Sequence, residues 1–355
     1  MAKILVLEGD GIGPEITAAT MDVLHHVDQL FALHLHFSSA DIGFAALKAS
    51  GTTFPSSVLD QARAADGVIL GPVSHNAYPP VAEGGLNPSG ELRKRLDLYA
   101  NIRPSRTRVS IPAPSRHAFD LIVVRENTEG FYADRTMHEG TGEFMPVPDL
   151  AMAMRKVTRH ASERIARSAF ELAMARRRKV CVVHKANVLR ISDGLFLDAV
   201  RKVAQDFPQV VVEEQLVDAM AALLVRDPRP YDVIVTTNMF GDILSDEAAE
   251  LAGGLGLGAS LNAGTDHGVA QAAHGSAPSI AGQDKANPTA LMISAAMLLT
   301  WLSGRLNRPE FARAGEAIEK AIDVTLDQPS MRTSDLGGPL GTKAFTQALI
   351  ANIKA

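Results

Sequence analysis

The chain has 355 residues, long enough for two domains or one large one. Hydrophobic residues make up 46% of it, which fills a sizeable core. The formal charge of -5 offers no basic face of the kind nucleic acid needs, so an anionic substrate requires a local cationic pocket. A single cysteine, Cys181, excludes an internal disulfide and fits a reducing compartment. Acids at Glu8 and Asp10 come too early for a secretory signal. The apolar run 290–302 is too short for a bilayer span and carries Ser294 and Thr300, which predicts a buried helix. The expectation is a soluble, cytoplasmic protein with neither nucleic acid nor membrane as partner.

In chain order, a strand at 4–7 runs into the glycine turn Gly9-Asp10-Gly11-Ile12-Gly13, and a helical pattern follows over 15–30. Further short apolar runs at 68–70, 121–124, 180–183, 210–212 and 233–237 predict strands buried on both faces. Helical stretches at 160–177 and 193–204 lie between them, which is an α/β pattern. Residues 135–157, rich in glycine, proline, methionine and charge, break the rhythm and read as an arm. From Pro288 onward the pattern is mostly helical.

The sharpest chemical signal is Phe240-Gly241-Asp242-Ile243-Leu244-Ser245-Asp246, after the strand at 233–237. Asp242 and Asp246 share a helix face, and hard oxygens so placed suit Mg²⁺ or Mn²⁺; acids favoured by a helix N-terminus are the plainer alternative. Arg93, Arg103 and Arg125 lie near apolar strands and would fix a dicarboxylate if they converged, though each alone reads as a surface ion pair. Lys185 follows the strand at 180–183, where partial desolvation makes a base, and Tyr132 is a complementary acid; a solvent-facing role is the alternative for each. The Gly9–Gly13 turn departs from the dinucleotide spacing, because Asp28, the nearest acid downstream, falls inside a helix. His274-Gly275-Ser276-Ala277-Pro278 offers small residues and backbone donors for a nucleotide. His25, His26, His34 and His36 cluster in sequence, and His34 and His36 would share a strand face, but a zinc site needs further ligands held by partners of their own. Arg176-Arg177-Arg178-Lys179 reads as a solvated helix end.

These pieces occur together in one family. The chain resembles the β-decarboxylating dehydrogenases that act on isocitrate, 3-isopropylmalate, homoisocitrate and tartrate or malate. The resemblance is carried by 7–15, 97–104, 124–130, 184–189, 237–246, 274–278 and 335–338. It implies two α/β domains sharing a central sheet with a cleft between them, and a homodimer with shared active sites joined by the arm at 135–157. The larger domain, 1–98 with 251–355, would bind the cofactor, and the smaller, 99–250, would carry the dimer interface. Arg93, Arg103 and Arg125 match the residues that hold the substrate carboxylates. Asp242 and Asp246, with Asp218 from the second subunit, match the Mg²⁺ or Mn²⁺ ligands. Lys185, also from the partner subunit, matches the group that takes the hydroxyl proton, and Tyr132 the acid that protonates the enol. The nucleotide contacts implied are Asn187, His274, Gly275, Ser276, Ala277, Ser279 and Asn287.

The departures bear on specificity. The isopropylmalate enzymes show leucines where this chain has Ser89 and Gly90, so an isopropyl group would lose contact worth roughly 1–3 kcal/mol. Asn87 and Ser89 occupy in swapped order the serine and asparagine places of isocitrate enzymes, which favours a polar or charged C3 group on a hydroxy-dicarboxylate or tricarboxylate. Isopropylmalate and tartrate or malate are the alternatives. Ser279 stands where NAD-using relatives have an acid, and Gln271 replaces a usual glutamate. No cation for a 2′-phosphate is apparent, so NAD is expected and NADP is possible. A non-catalytic regulatory subunit is the rival of a different class; it would be expected to have lost Tyr132, Lys185 or the aspartates.

Overall fold

The computed structural model describes residues 1–132, 134 and 136–355. Arg135, the first residue of the expected arm, lies outside the described residues. In chain order the elements are β1 (Ala2–Leu7), α1 (Gly13–Phe31), β2 (Leu35–Ser39), α2 (Gly43–Ser50), α3 (Ser56–Ala64), β3 (Gly67–Leu70), α4 (Pro88–Arg95), β4 (Ala100–Arg106) and β5 (Asp120–Glu126). The hairpin strands β6 (Glu143–Val147) and β7 (Leu150–Ala153) follow, then α5 (Arg159–Met174), β8 (Lys179–His184), α6 (Ser192–Ala204), β9 (Val211–Leu216), α7 (Val217–Arg226), β10 (Val233–Thr236) and α8 (Asn238–Ala252). The chain closes with β11 (Leu261–Ala263), β12 (Gly268–Gln271), α9 (Thr289–Leu306), α10 (Pro309–Leu326) and α11 (Thr342–Asn352). Two compact units result: Met1–Asp97 with Arg108–Ala113 and Gly253–Ala355, and Leu98–Thr107 with Pro114–Ala252. The segment 108–113, which the sequence reading leaves in the smaller domain, packs with the first unit.

In the second unit the strand order is β4-β5-β10-β8-β9, with β4 antiparallel to β5 and the remaining pairs parallel. The continuous apolar runs are explained by the pleat, which sends successive side chains to opposite faces. Ile122, Val124, Val180, Val182, Val233 and Val235 pack on one side with α5 and α6. Leu121, Val123, Cys181, Val183 and Ile234 pack on the other with α7 and α8. Both faces are dry, so neither tolerates polar alternation. The strand expected at 210–212 is instead β9 at the sheet edge, half-exposed and charged at Glu213 and Glu214. Its one free side needs no apolar cover.

In the first unit the order is β2-β1-β3-β12-β11, parallel except for the β11–β12 pair. The 18-residue α9 outgrows the apolar run read from sequence and reaches the length and hydropathy of a membrane span. Most of it is buried in this unit against α10 and β12, which accounts for its apolarity. His34 precedes β2 at φ 56°, so it does not share a strand face with His36. The excursion from the second unit leaves after Gly130 and returns at Lys156, whose backbones pair reciprocally. Its hairpin β6–β7 is exposed along its whole length.

Helix α5 ends at Met174 with Ala175 as its cap, so the basic run 176–179 begins just beyond it; Arg177 and Arg178 are exposed, but Arg176 and Arg177 also have fixed partners. Arg176 Nε donates to Asp232 Oδ1 at 2.8 Å, and its Nη2 to Asp120 Oδ1 at 2.8 Å. Arg177 donates to the carbonyls of Arg229 and Asp120. These guanidinium groups tie together the starts of β5 and β10.

Candidate active site

The sheet register of the second unit gathers the chemistry at one edge. Thr236 at the end of β10 is level with Arg125 on β5 and Val183 on β8, and Asn101 on antiparallel β4 is level with Arg125. Arg125, Lys185, Asn238 and the start of α8 therefore all emerge at the carboxyl ends of parallel strands, where open α/β sheets place ligands.

Arg125 is 1% exposed, and its guanidinium bonds to three residues of the site. Its Nε donates to Asn238 Oδ1 at 2.8 Å, one Nη to Asp242 Oδ1, and the other to Tyr132 Oη at 2.5 Å. Tyr132 in turn donates to Asp242 Oδ2 at 2.8 Å. Room for the arginine stem exists because α8 carries Gly241 there; a Cβ would meet Arg125 Cβ at 2.6 Å. Arg103 is fixed by Asn101 Oδ1 (2.6 Å) and Ser245 Oγ (2.8 Å). Its Nη1 lies 3.2 Å from Asp242 Oδ1 and 3.0 Å from Asp246 Oδ1. Burial, then the like charge of Arg125, lowers the Arg103 pKa. Burial raises that of Asp246, with Arg103 opposing and Asp242 adding.

One cationic nitrogen is thus shared by two carboxylates one helical turn apart, so this pair of hard oxygens can close on a common cation. Their chemistry fits Mg²⁺ or Mn²⁺. Among the described residues no three His, Cys, Asp or Glu side chains stand together as a ligand set. Asp218 belongs to another contact: β9 runs straight into α7, Leu216 is level with His184, and Asp218 therefore pairs with Lys185. Lys185 N–H also donates to Asp193 Oδ2 at 2.5 Å, which holds the turn after β8. His184 Nδ1 accepts the Ala186 N–H at 3.0 Å. Asn187 is exposed in the same turn.

The first unit holds the other expected residues. His274, Gly275, Ala277 and Asn287 line a cavity of about 440 Å³ with Ile12 and Asp335. The Gly9–Gly13 turn props up this loop: Ile12 N–H donates to Ser276 O at 2.8 Å, and Gly11, at φ 59°, would set a Cβ 2.0 Å from that oxygen. Ser276 is buried with its hydroxyl on Ser74 (2.7 Å), and Ser279 is exposed outside the lining. Asn287 spends both polar ends internally, on Asp335 Oδ2 (2.9 Å) and Thr289 N (3.0 Å). Gly256 is required beside that pair, since a Cβ would approach Asp335 Oδ2 to 2.7 Å. Lys285 also lines the cavity, a cation that the sequence reading did not find. Arg93 donates to Gln271 Oε1 (3.4 Å), which also receives Ser89 Oγ (2.9 Å). Asn87 is the N-cap of α4, its Oδ1 accepting Gly90 N–H at 3.2 Å, and so carries a structural task.

Spacing gave no sign of Ile12 as a pocket residue, of Gly256 or of Lys285. Asp335 and Asn238 lie inside the segments 335–338 and 237–246, where nothing in the sequence marks them for a role. The comparison with known proteins decides the family. The isocitrate/isopropylmalate dehydrogenase profile matches residues 3–353. The chain belongs to this family. It is 42% identical over 356 residues to the isocitrate/homoisocitrate dehydrogenase of Thermus thermophilus, covering 99% of each chain. It is 41% identical over 353 residues to the 3-isopropylmalate dehydrogenase of Methanothermobacter thermautotrophicus, covering 99% of this chain and 98% of that one. The crystal structure of isocitrate dehydrogenase from Methylococcus capsulatus superposes with a TM-score of 0.89 at 38% identity, over 100% of both chains. The family member described here is an α/β enzyme, an NAD(P)-dependent decarboxylating dehydrogenase acting on a CH–OH group.

Proposed function

We propose that the substrate is a 3-substituted malate with a polar or charged C3 group, isocitrate- or homoisocitrate-like. The observation that carries this reading is the buried Ser89–Gln271 pair beside Arg93. Arg93 can only donate, so the oxygen of Gln271 faces it, and the network offers polar partners in place of an aliphatic wall. A 3-isopropylmalate side group would set aliphatic surface against these polar groups and make no hydrogen bond with them. Arg103 and Arg125 hold carboxylates of the substrate, and Arg93 is the third arginine of the set. Asp242 and Asp246, with Asp218 of a partner subunit, hold Mg²⁺ or Mn²⁺. His274, Gly275, Ser276, Ala277, Ser279, Asn287 and Asn187 contact the nucleotide. When bound, the metal supplies Lewis acidity at the substrate hydroxyl, and the nicotinamide accepts hydride.

The chain's own residues handle protons and charge. Lys185 Nζ, supplied by the partner subunit and freed from Asp218 once that carboxylate turns to the metal, receives the hydroxyl proton, and Tyr132 Oη, held by Arg125, returns a proton to carbon after carbon dioxide leaves. The guanidinium groups offset negative charge as it develops. NAD is the preferred nucleotide; Ser279 bears no charge to repel a 2′-phosphate and Lys285 is a nearby cation, so NADP is also used. The exposed apolar residues of the hairpin, Phe144, Met145, Val147 and Leu150 among them, are the arm of a homodimer with shared sites. Its one cysteine is buried and free, in keeping with a cytoplasmic enzyme.

The test is a panel of 3-substituted malates with NAD and NADP in the presence of Mn²⁺, alongside Lys185→Met and Tyr132→Phe. Each variant is expected to bind substrate and to lose roughly 10²- to 10⁴-fold in kcat. Near-wild-type rates in both variants would end the assignment of roles, and turnover confined to 3-isopropylmalate would end the substrate assignment.

A further inference from the structure

Arg155 carries no role in the reading above, yet it touches the neighbours of all three catalytic elements of the second unit. It sits two residues after β7, where the arm rejoins the fold, and its side chain is 7% exposed. One Nη pairs with Asp193, which is fully buried, and also donates to Ser192 Oγ at 3.0 Å. The other donates to Thr237 Oγ1 at 3.0 Å. The guanidinium carbon lies 5.5 Å from the ring centre of Phe131 and 5.4 Å from that of Phe240, within cation–π range of both.

Each contact leads to a different piece of machinery. Asp193 uses its second oxygen to hold the backbone N–H of Lys185. Phe131 precedes Tyr132 in the chain. Thr237 and Phe240 flank the start of α8, which carries Asp242 and Asp246. A buried charge pair is a poor source of net stability, but it admits few geometries, because a displaced partner would leave an uncompensated charge. A guanidinium adds fixed planar directions and contact with two aromatic rings.

We propose that Arg155 is a positioning residue that holds the Tyr132 segment and the metal-binding helix α8 of one site in register with the Lys185 turn that the same chain gives to its partner's site. It acts from the base of the arm, so the arm's return into the fold is mechanically joined to the catalytic set. This inference rests on the roles proposed above for Lys185, Tyr132 and Asp242.

The experiment compares Arg155→Ala, Arg155→Lys and Asp193→Asn with the wild type at saturating nucleotide and Mn²⁺. Misplacement of groups that still bind substrate lowers kcat and spares KM, so Arg155→Ala is expected to lose about 10- to 100-fold in kcat with KM nearly unchanged. Added guanidinium ion should refill the slot and recover part of that loss, and should do nothing for Lys185→Met or Tyr132→Phe. Arg155→Lys keeps the charge toward Asp193 but loses the Thr237 bond and the planar stacking, and should fall several-fold. Asp193→Asn should show the same kcat-selective loss. Wild-type kcat in folded Arg155→Ala overturns the proposal, as does a loss that follows only the amount of folded protein and is not rescued. If Arg155→Ala fails to fold, wild-type kcat in Arg155→Lys overturns it instead. Full activity in Lys185→Met and Tyr132→Phe would remove the catalytic roles themselves, a separate failure from an inert Arg155.

Discussion

The two units build their sites from different materials. The second unit uses charged side chains that neutralise one another: Arg125 against Asp242 and Tyr132, Arg103 against Asp242 and Asp246, Lys185 against Asp218. The first uses backbone and small residues: the carbonyl of Ser276, glycines at 11, 256 and 275, and an Asn287–Asp335 pair that faces inward. On the roles proposed above, substrate chemistry and nucleotide shape fall to separable parts. Damage to the charge cluster should therefore leave nucleotide affinity intact, and damage to the glycine loop should leave kcat intact.

Arg125→Met gives the largest expected effect. It removes a buried cation that joins Asn238, Asp242 and Tyr132, so kcat/KM should fall by about 10³-fold or more. Nucleotide affinity, followed by fluorescence titration, should stay within about twofold, the scatter of a change in one unaffected site. A parallel loss of nucleotide binding would break the separation. Next is Gly256→Ala in the first unit. Its new Cβ must displace Asp335 or Asn287, and the nucleotide Kd should rise roughly tenfold, one pairing's worth of affinity, with kcat preserved. An unchanged Kd would show that the pair does not shape the nucleotide pocket.

The same contrast explains what could be read from the sequence. Asp242 and Asp246 were legible because four-residue spacing on a helix fixes their common face, and Val233 and Val235 because strands buried on both faces leave an unbroken apolar run. Lys185 and Asp218 were named separately; only the β8–β9 register shows that they meet within one chain. Arg155 was illegible because its meaning lies in Asp193, Thr237, Phe131 and Phe240, dispersed over more than 100 positions and carrying no periodicity. Ile12 and Gly256 were illegible for another reason: they act through backbone and absent bulk, which leave no chemical signature. The ion pair of Arg176 was illegible because a solvated terminal cation and a cation folded back onto Asp232 look alike in one dimension.

Gln271→Glu sharpens the comparison at a residue of the first unit to which the proposed function gives a part in reading the side group. The neutral amide accepts from Ser89 and Arg93 without cancelling charge. A carboxylate there would add a negative charge to the polar cluster and repel an anionic C3 group. The kcat/KM for a tricarboxylate should fall at least about three- to tenfold, since charge repulsion is screened less in a buried cluster than at a surface, while that for 3-isopropylmalate should not fall. Equal losses for both would mean that Gln271 supports the pocket without reading the side group.

The smallest effect concerns His274 and pH. Burial lowers its pKa, so the folded protein prefers the neutral ring, with Nδ1 3.0 Å from Gly275 O as the donor and Nε2 left as an acceptor. The unfolded chain keeps an ordinary imidazole near pH 6.5. As pH falls through that value the unfolded state binds the proton first, so stability is full above it and declines toward the lower folded pKa. His274→Asn removes this proton linkage. The wild type should lose more Tm than the variant between about pH 7.5 and 5.5, with the two curves parallel above pH 7.5. Nucleotide bound to the neutral ring should steepen the wild-type slope, since protonation must then break that contact as well. Curves that stay parallel over the whole range would show that the ring takes its proton as freely in the folded loop as in the open chain.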